Sequence, residues 1–91
     1  MHVSHNHDFS KAKARQRLAK LTDYWRNNYD IQARWAGDHV QVQGNVMGIS
    51  FRATLLVTDH TIEVRGPDPG WLLRGRVEKY VIEKLDEYLD S

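Results

Sequence analysis

Through the middle of the chain, apolar and polar positions alternate with a period of two. Ile31, Ala33 and Trp35 are separated by Gln32 and Arg34, and Val40 and Val42 by Gln41. Met47, Ile49, Phe51, Ala53, Leu55 and Val57 alternate with Gly48, Ser50, Arg52, Thr54 and Leu56, and Ile62 and Val64 flank Glu63. Successive strand side chains point to opposite faces, so this pattern describes a sheet with one apolar face. On either side of it the period changes. Ala14, Leu18, Leu21 and Trp25 recur at spacings of four, three and four. Leu73, Val77, Tyr80, Val81, Leu85, Tyr88 and Leu89 also follow helical spacing. The chain therefore reads as helix, four strands, helix.

Parity then places the turns, because apolar residues of paired strands must share a face. Trp35 opposite Val40 makes Gly37-Asp38 a two-residue loop. Val42 opposite Met47 makes Gly44-Asn45 a second, and Val57 opposite Ile62 makes Asp59-His60 a third. Glycine at the first loop position suits a type II′ hairpin turn. The prediction is a four-stranded antiparallel meander. The first half of its long third strand pairs with strand two, and the second half with strand four. Ser10 is the expected N-cap of the first helix, with Phe9 before it. Asp68 followed by Pro69 signals the start of the last helix.

With 91 residues, the chain has room for one domain. Residues 1–9 read as a polar N-terminal arm and 10–91 as a single α+β domain. Both helices carry one apolar stripe and the sheet one apolar face, so the expected arrangement is two layers with both helices on one side. The other sheet face then shows Arg34, Gln41, Gln43, Ser50, Arg52, Thr54, Leu56, Glu63 and Arg65.

Charge changes this picture by making the first helix distinctive. Of 13 lysines and arginines, six lie in residues 10–28 (Lys11, Lys13, Arg15, Arg17, Lys20 and Arg26), against Asp23 alone among the 12 acids. The remainder of a nearly neutral chain is net acidic. The apolar stripe is needed as core, which leaves the cations flanking it as a rim whose stems cover apolar surface while the charged heads reach water. Such a rim suits an acidic protein, nucleic acid or an anionic coat. Arg34 and Arg52 on the open sheet face extend the candidate contact residues and offer a nucleic-acid alternative. Sheet-type readers of single strands also stack bases on exposed aromatics, and here Trp35 and Phe51 take the buried parity. Trp71 or Leu72, with Leu56, provides apolar surface for a homodimer contact.

Catalytic and metal chemistry find little support. Cysteine is absent, no phosphate-binding glycine loop follows a strand, and no nucleophile elbow occurs. Glu78, Glu83, Asp86, Glu87 and Asp90 read as the solvated side of the last helix. His2, His5 and His7 with Asp8 are the candidate metal cluster, but their spacing matches no standard finger or helical motif. The expectation is a protein that is not an enzyme and has no metal or cofactor. No apolar run reaches the roughly 20 residues that span a bilayer and no secretion signal opens the chain, so a cytoplasmic location is expected.

Several short segments together carry a family likeness. They are His7-Asp8-Phe9 leading into Ala14-Arg15, the turn Trp35-Ala36-Gly37-Asp38, the strand Val46-Met47-Gly48-Ile49, and the last helix with Leu72-Leu73 and Ile82-Glu83-Lys84-Leu85. In order and spacing the chain resembles the polyhydroxyalkanoic acid system family of bacteria, also called the granule-region family. The resemblance covers nearly the whole chain. It implies a small cytoplasmic protein associated with polyester storage granules, with a granule surface or an acidic protein as partner. It brings no catalytic residues with it. The segment Arg65-Gly66-Pro67-Asp68-Pro69-Gly70 departs from the family pattern.

Overall fold

A computed structural model describes residues 1–46, 48–68 and 70–90, and the side chains of all of these but Ile49 and Trp71. The elements are β1 (His2–Asn6), α1 (Lys11–Asn28), β2 (Asp30–Ala36), β3 (His39–Val46), β4 (Ile49–Val57), β5 (Thr61–Arg65) and α2 (Trp71–Leu89). The strands form one antiparallel sheet in the order β1-β5-β4-β3-β2.

The four strands expected from parity are present as the meander β2 to β5. The four-stranded description is nevertheless incomplete, because residues 2–6 add a fifth strand. The expected arm pairs with β5, Val3 opposite Val64 and His5 opposite Ile62. Pairing satisfies backbone groups on the outer edge of β5 that would otherwise face water. Val3 and His7 are buried on the inner face, so the segment contributes to the core despite its polar composition.

Two of the three turns lie where parity put them. Ala36 pairs with His39 around Gly37-Asp38. Thr58 N–H donates to the Thr61 carbonyl around Asp59-His60. The Gly44-Asn45 turn is corrected: both residues lie inside β3, and Val42 faces Ala53 rather than Met47. Val46 pairs with Ile49, with Gly48 at φ 83° in the turn region. The expectations for Met47 and Pro69 lie outside the described residues. β4 is also not divided between neighbours. It pairs with β3 from Ile49 to Leu56 and with β5 only from Thr54 to Val57.

Ser10 caps α1 as expected, its Oγ accepting from Lys13 N–H at 3.1 Å. Asp68 does not cap α2. The N-cap is Gly70, at φ 99°, and Asp68 accepts instead from Gly70 N–H at 2.9 Å and from the Arg74 guanidinium.

The core lies between one sheet face and the two helices. Ala14, Leu18, Leu21 and Trp25 of α1 and Leu85 and Leu89 of α2 pack with Val3, Val40, Val42, Leu55, Val57, Ile62 and Val64. Both helices thus cover the same side in two layers. The first turns of α2 are poorly covered: Leu72 is 71% exposed. Among the described residues no helix is long and apolar enough to cross a membrane.

Candidate cationic contact surface

Packing α1 on the sheet divides its cations by environment. Lys11 lies 2.7 Å from Asp38 in the first hairpin loop. The hydrogen-bonded Asp38 carboxylate raises the Lys11 ammonium above its ordinary range, and Lys11 pulls Asp38 below its own. Arg26 pairs with Asp23 one turn earlier, at 3.6 Å. Arg15 lies over the Trp35 ring, and Arg17 over the Phe9 ring, each 5.1 Å from the centroid. Such cation–ring contacts hold the guanidinium groups in place and are worth about 0.5–1 kcal/mol at exposed sites. Lys13 and Lys20 are exposed and have no carboxylate partner among the described residues.

The six helix cations therefore do not form one continuous field. Lys11, Arg15 and Arg26 face the β2 side of the helix, where two of them are neutralised. Lys13, Arg17 and Lys20 lie on the side turned towards α2, as the helical spacing of these positions with Tyr24 requires. Tyr24 itself packs near Tyr88 and beneath the Lys84 ammonium, at 4.5 Å. The α1 cations without a carboxylate partner among the described residues are Lys13, Arg17 and Lys20 on this side, with Arg17 anchored by Phe9, and Arg15 over Trp35 on the other.

Arg34 and Arg52 lie elsewhere, exposed on the sheet face away from the helices. The register aligns Arg34, Gln41, Thr54 and Arg65 in one row across β2 to β5, with Gln32, Gln43 and Arg52 in the next. None of the three arginines has an acidic partner among the described residues. Gln41, Gln43, Arg52, Thr54 and Arg65, with Pro67, line a concavity of about 400 Å³. A neighbouring one of about 560 Å³ includes Asp30, Gln32, Ser50 and Phe51. Both are lined by the sheet and the loop after it. The two rows from β2 to β5 hold no Phe, Tyr or Trp on which bases would stack, Phe51 reaches only the neighbouring concavity, and Trp35 lies beneath Arg15 on the helix-covered side. For a homodimer contact, Leu56 at 39% and Leu72 at 71% are exposed but belong to different layers of the molecule.

The three N-terminal histidines do not converge. His2 Nε2 meets Glu63 at 2.8 Å on the open face. His7 is buried, its Nε2 3.0 Å from the Thr58 carbonyl, while Nδ1 accepts from Phe9 N–H. His5 turns towards the last turn of α2. Sequence spacing gives no sign of the Glu63, Thr58 and Asp86 partners, since each is 51 or more residues away.

Glu63 ties β1 to β5. Hydrogen bonds from Ser4, His2 and Thr61 lower its pKa from 4.5 to about 2. In the unfolded chain this carboxylate takes a proton near 4.5, so its stabilising contribution is complete above that pH and is lost as pH falls towards 2. The variant Glu63→Gln is expected to be less stable at neutral pH and to have a flatter stability profile between about pH 5 and pH 2. Urea midpoints across that range measure this, and parallel profiles for variant and wild type would contradict it.

A family model described as putative polyhydroxyalkanoic acid system protein matches residues 1–90. No curated protein and no solved structure matches the chain.

Proposed function

Since the chain belongs to the polyhydroxyalkanoic acid system family, we propose that it is a non-catalytic accessory domain of polyester storage granules that docks on an acidic protein or granule coat through Lys13, Arg17 and Lys20. The observation that carries this reading is the pair of exposed lysines, without a carboxylate partner among the described residues, beside an arginine held in position by a ring. Neutralised cations such as Lys11 and Arg26 add little to an external field, whereas an unpaired row attracts an acidic surface at close range. On this reading the protein works in the cytoplasm, where its partner is displayed.

Lys13→Glu/Lys20→Glu tests the proposal without touching the core. Each rim charge contributes less than about 1 kcal/mol, so reversing two should weaken recruitment by about tenfold. Granule co-sedimentation at low salt measures the loss. The thermal midpoint should change little, because both side chains are exposed. Unchanged co-sedimentation would rule out this surface.

One observation favours a second reading, a nucleic-acid contact on the open sheet face: Arg34, Arg52 and Arg65 occupy adjacent rows without an acid between them. It requires an affinity that declines with salt and is lost in Arg34→Ala/Arg52→Ala. No gel shift at low salt would remove it.

A further inference from the structure

The inner face of β1 brings His5 under the last turn of α2, where Asp86 and Asp90 lie one turn apart on a common side. The His5 side chain is only 12% exposed, and the two aspartates are 53% and 68% exposed. His5 Nδ1 is 3.4 Å from Asp86 Oδ1, and His5 Nε2 is 3.6 Å from Asp90 Oδ1. Neither contact is a hydrogen bond. Nε2 is buried and has no hydrogen-bond partner among the described residues. Native proteins rarely leave a buried polar atom in that state. His2 and His7 show the contrast, since each has its Nε2 at hydrogen-bonding distance from an oxygen.

Both contacts are longer than a charge-assisted hydrogen bond, which measures about 2.8 Å. One donor atom from each of the three residues lies within 4.8 Å of the other two. Donors about 2.0–2.2 Å from a common tetrahedral ion are separated by roughly 3.3–3.6 Å, so small side-chain rotations of the exposed aspartates would bring the three onto one ion.

We propose that His5, Asp86 and Asp90 form a binding site for a divalent first-row cation such as zinc. The ring lends one nitrogen and each aspartate one oxygen, leaving an outward position for water. One nitrogen with two carboxylate oxygens suits zinc or manganese. Asp90 is also the C-cap of α2, where the negative end of the helix dipole adds to the attraction. The bound ion clasps β1 to α2 and closes a loop that spans most of the chain, the kind of link that gains most from a metal clip. This inference does not depend on the role of the α1 lysines.

The test is thermal unfolding of the metal-stripped full chain with zinc or manganese chloride added. At a hundredfold excess over Kd the midpoint should rise by at least about 10 °C. Asp90→Asn, a surface change that leaves the metal-free midpoint nearly unaltered, should abolish the rise, and His2→Ala should keep it. Long-range ¹⁵N correlation spectra should show the His5 ring nitrogen shifting on metal addition, which decides the matter even if His5→Ala fails to fold. No midpoint rise with either metal, or a rise that survives Asp90→Asn, would overturn the proposal.

Discussion

Gly44→Ala should lower the unfolding midpoint by about 15 °C, corresponding to a loss of about 3 kcal/mol. Gly44 sits in the middle of β3, opposite Ile31 on β2 and Phe51 on β4. A Cβ at this position would lie 2.0 Å from the Asp30 carbonyl oxygen and 2.7 Å from Ile31 Cα. Those are backbone atoms, so no rotamer change relieves the contact. β2 must move away from β3, and the ladder from Asp30 to Ala36 pays in lost hydrogen bonds. Glycine inside a strand commonly marks such a close approach of two backbones. Gly48→Ala is the informative control. Nothing lies within 4 Å of its Cβ position, and only the φ of 83° opposes the change, at about 1 kcal/mol. Gly44 also has a positive φ, 156°, so calorimetry on the two variants, with amide exchange along β2, measures what crowding adds to backbone preference. Equal losses at the two positions would show that Gly44 is not tightly opposed by β2.

The second large effect is expected at Leu85. Leu85 is fully buried among the residues that join α2 to α1 and the sheet. Leu85→Ala removes that apolar volume and leaves a cavity, a loss of about 3 kcal/mol. Leu72→Ala, in the first turn of the same helix, should cost under about 0.5 kcal/mol because its side chain is 71% exposed. The difference follows from how α2 is held. Leu85 and Leu89 are in the core, whereas Tyr80 and Ile82 are partly open to solvent, and Trp25 Nε1–H donates to Tyr80 Oη at 3.1 Å. Urea unfolding of the two variants measures the contrast. A loss above 1 kcal/mol for Leu72→Ala would mean that the first turns of α2 are docked as firmly as the last.

These features differ in how legible they were beforehand. Alternation identified the inner face of the sheet because burying one face imposes a period that nothing else in the chain produces. Alternation does not by itself locate a turn. Moving the second turn three residues along shifts the register by an even number, so Val40, Val42 and Gly44 still share a face with Leu55, Ala53 and Phe51. Parity makes Gly44 a turn glycine, whereas its lack of a side chain serves close strand approach. β1 escaped notice because only Val3 among its five residues is apolar. Its stability comes from β5, nearly sixty residues away, and from Glu63. The cationic rim was visible, but its division was less so. The Arg26–Asp23 pair follows from helical spacing, whereas the Lys11–Asp38 pair forms only once a hairpin loop folds beside the helix. His5, Asp86 and Asp90 come from opposite ends of the chain, and no spacing rule connects them.

The place of β1 beside β5 also dictates an order of events. His2–Asn6 emerges in synthesis long before its partner strand, which ends at Arg65. The meander of β2 to β5 can assemble from neighbouring hairpins within that interval, while the leading strand waits unpaired. The sheet is completed by a contact between distant parts of the chain, the class of contact that slows folding most. Refolding should therefore proceed in the reverse of reading order at this edge, with hairpin amides protected early and those of Val3 and Ser4 among the last.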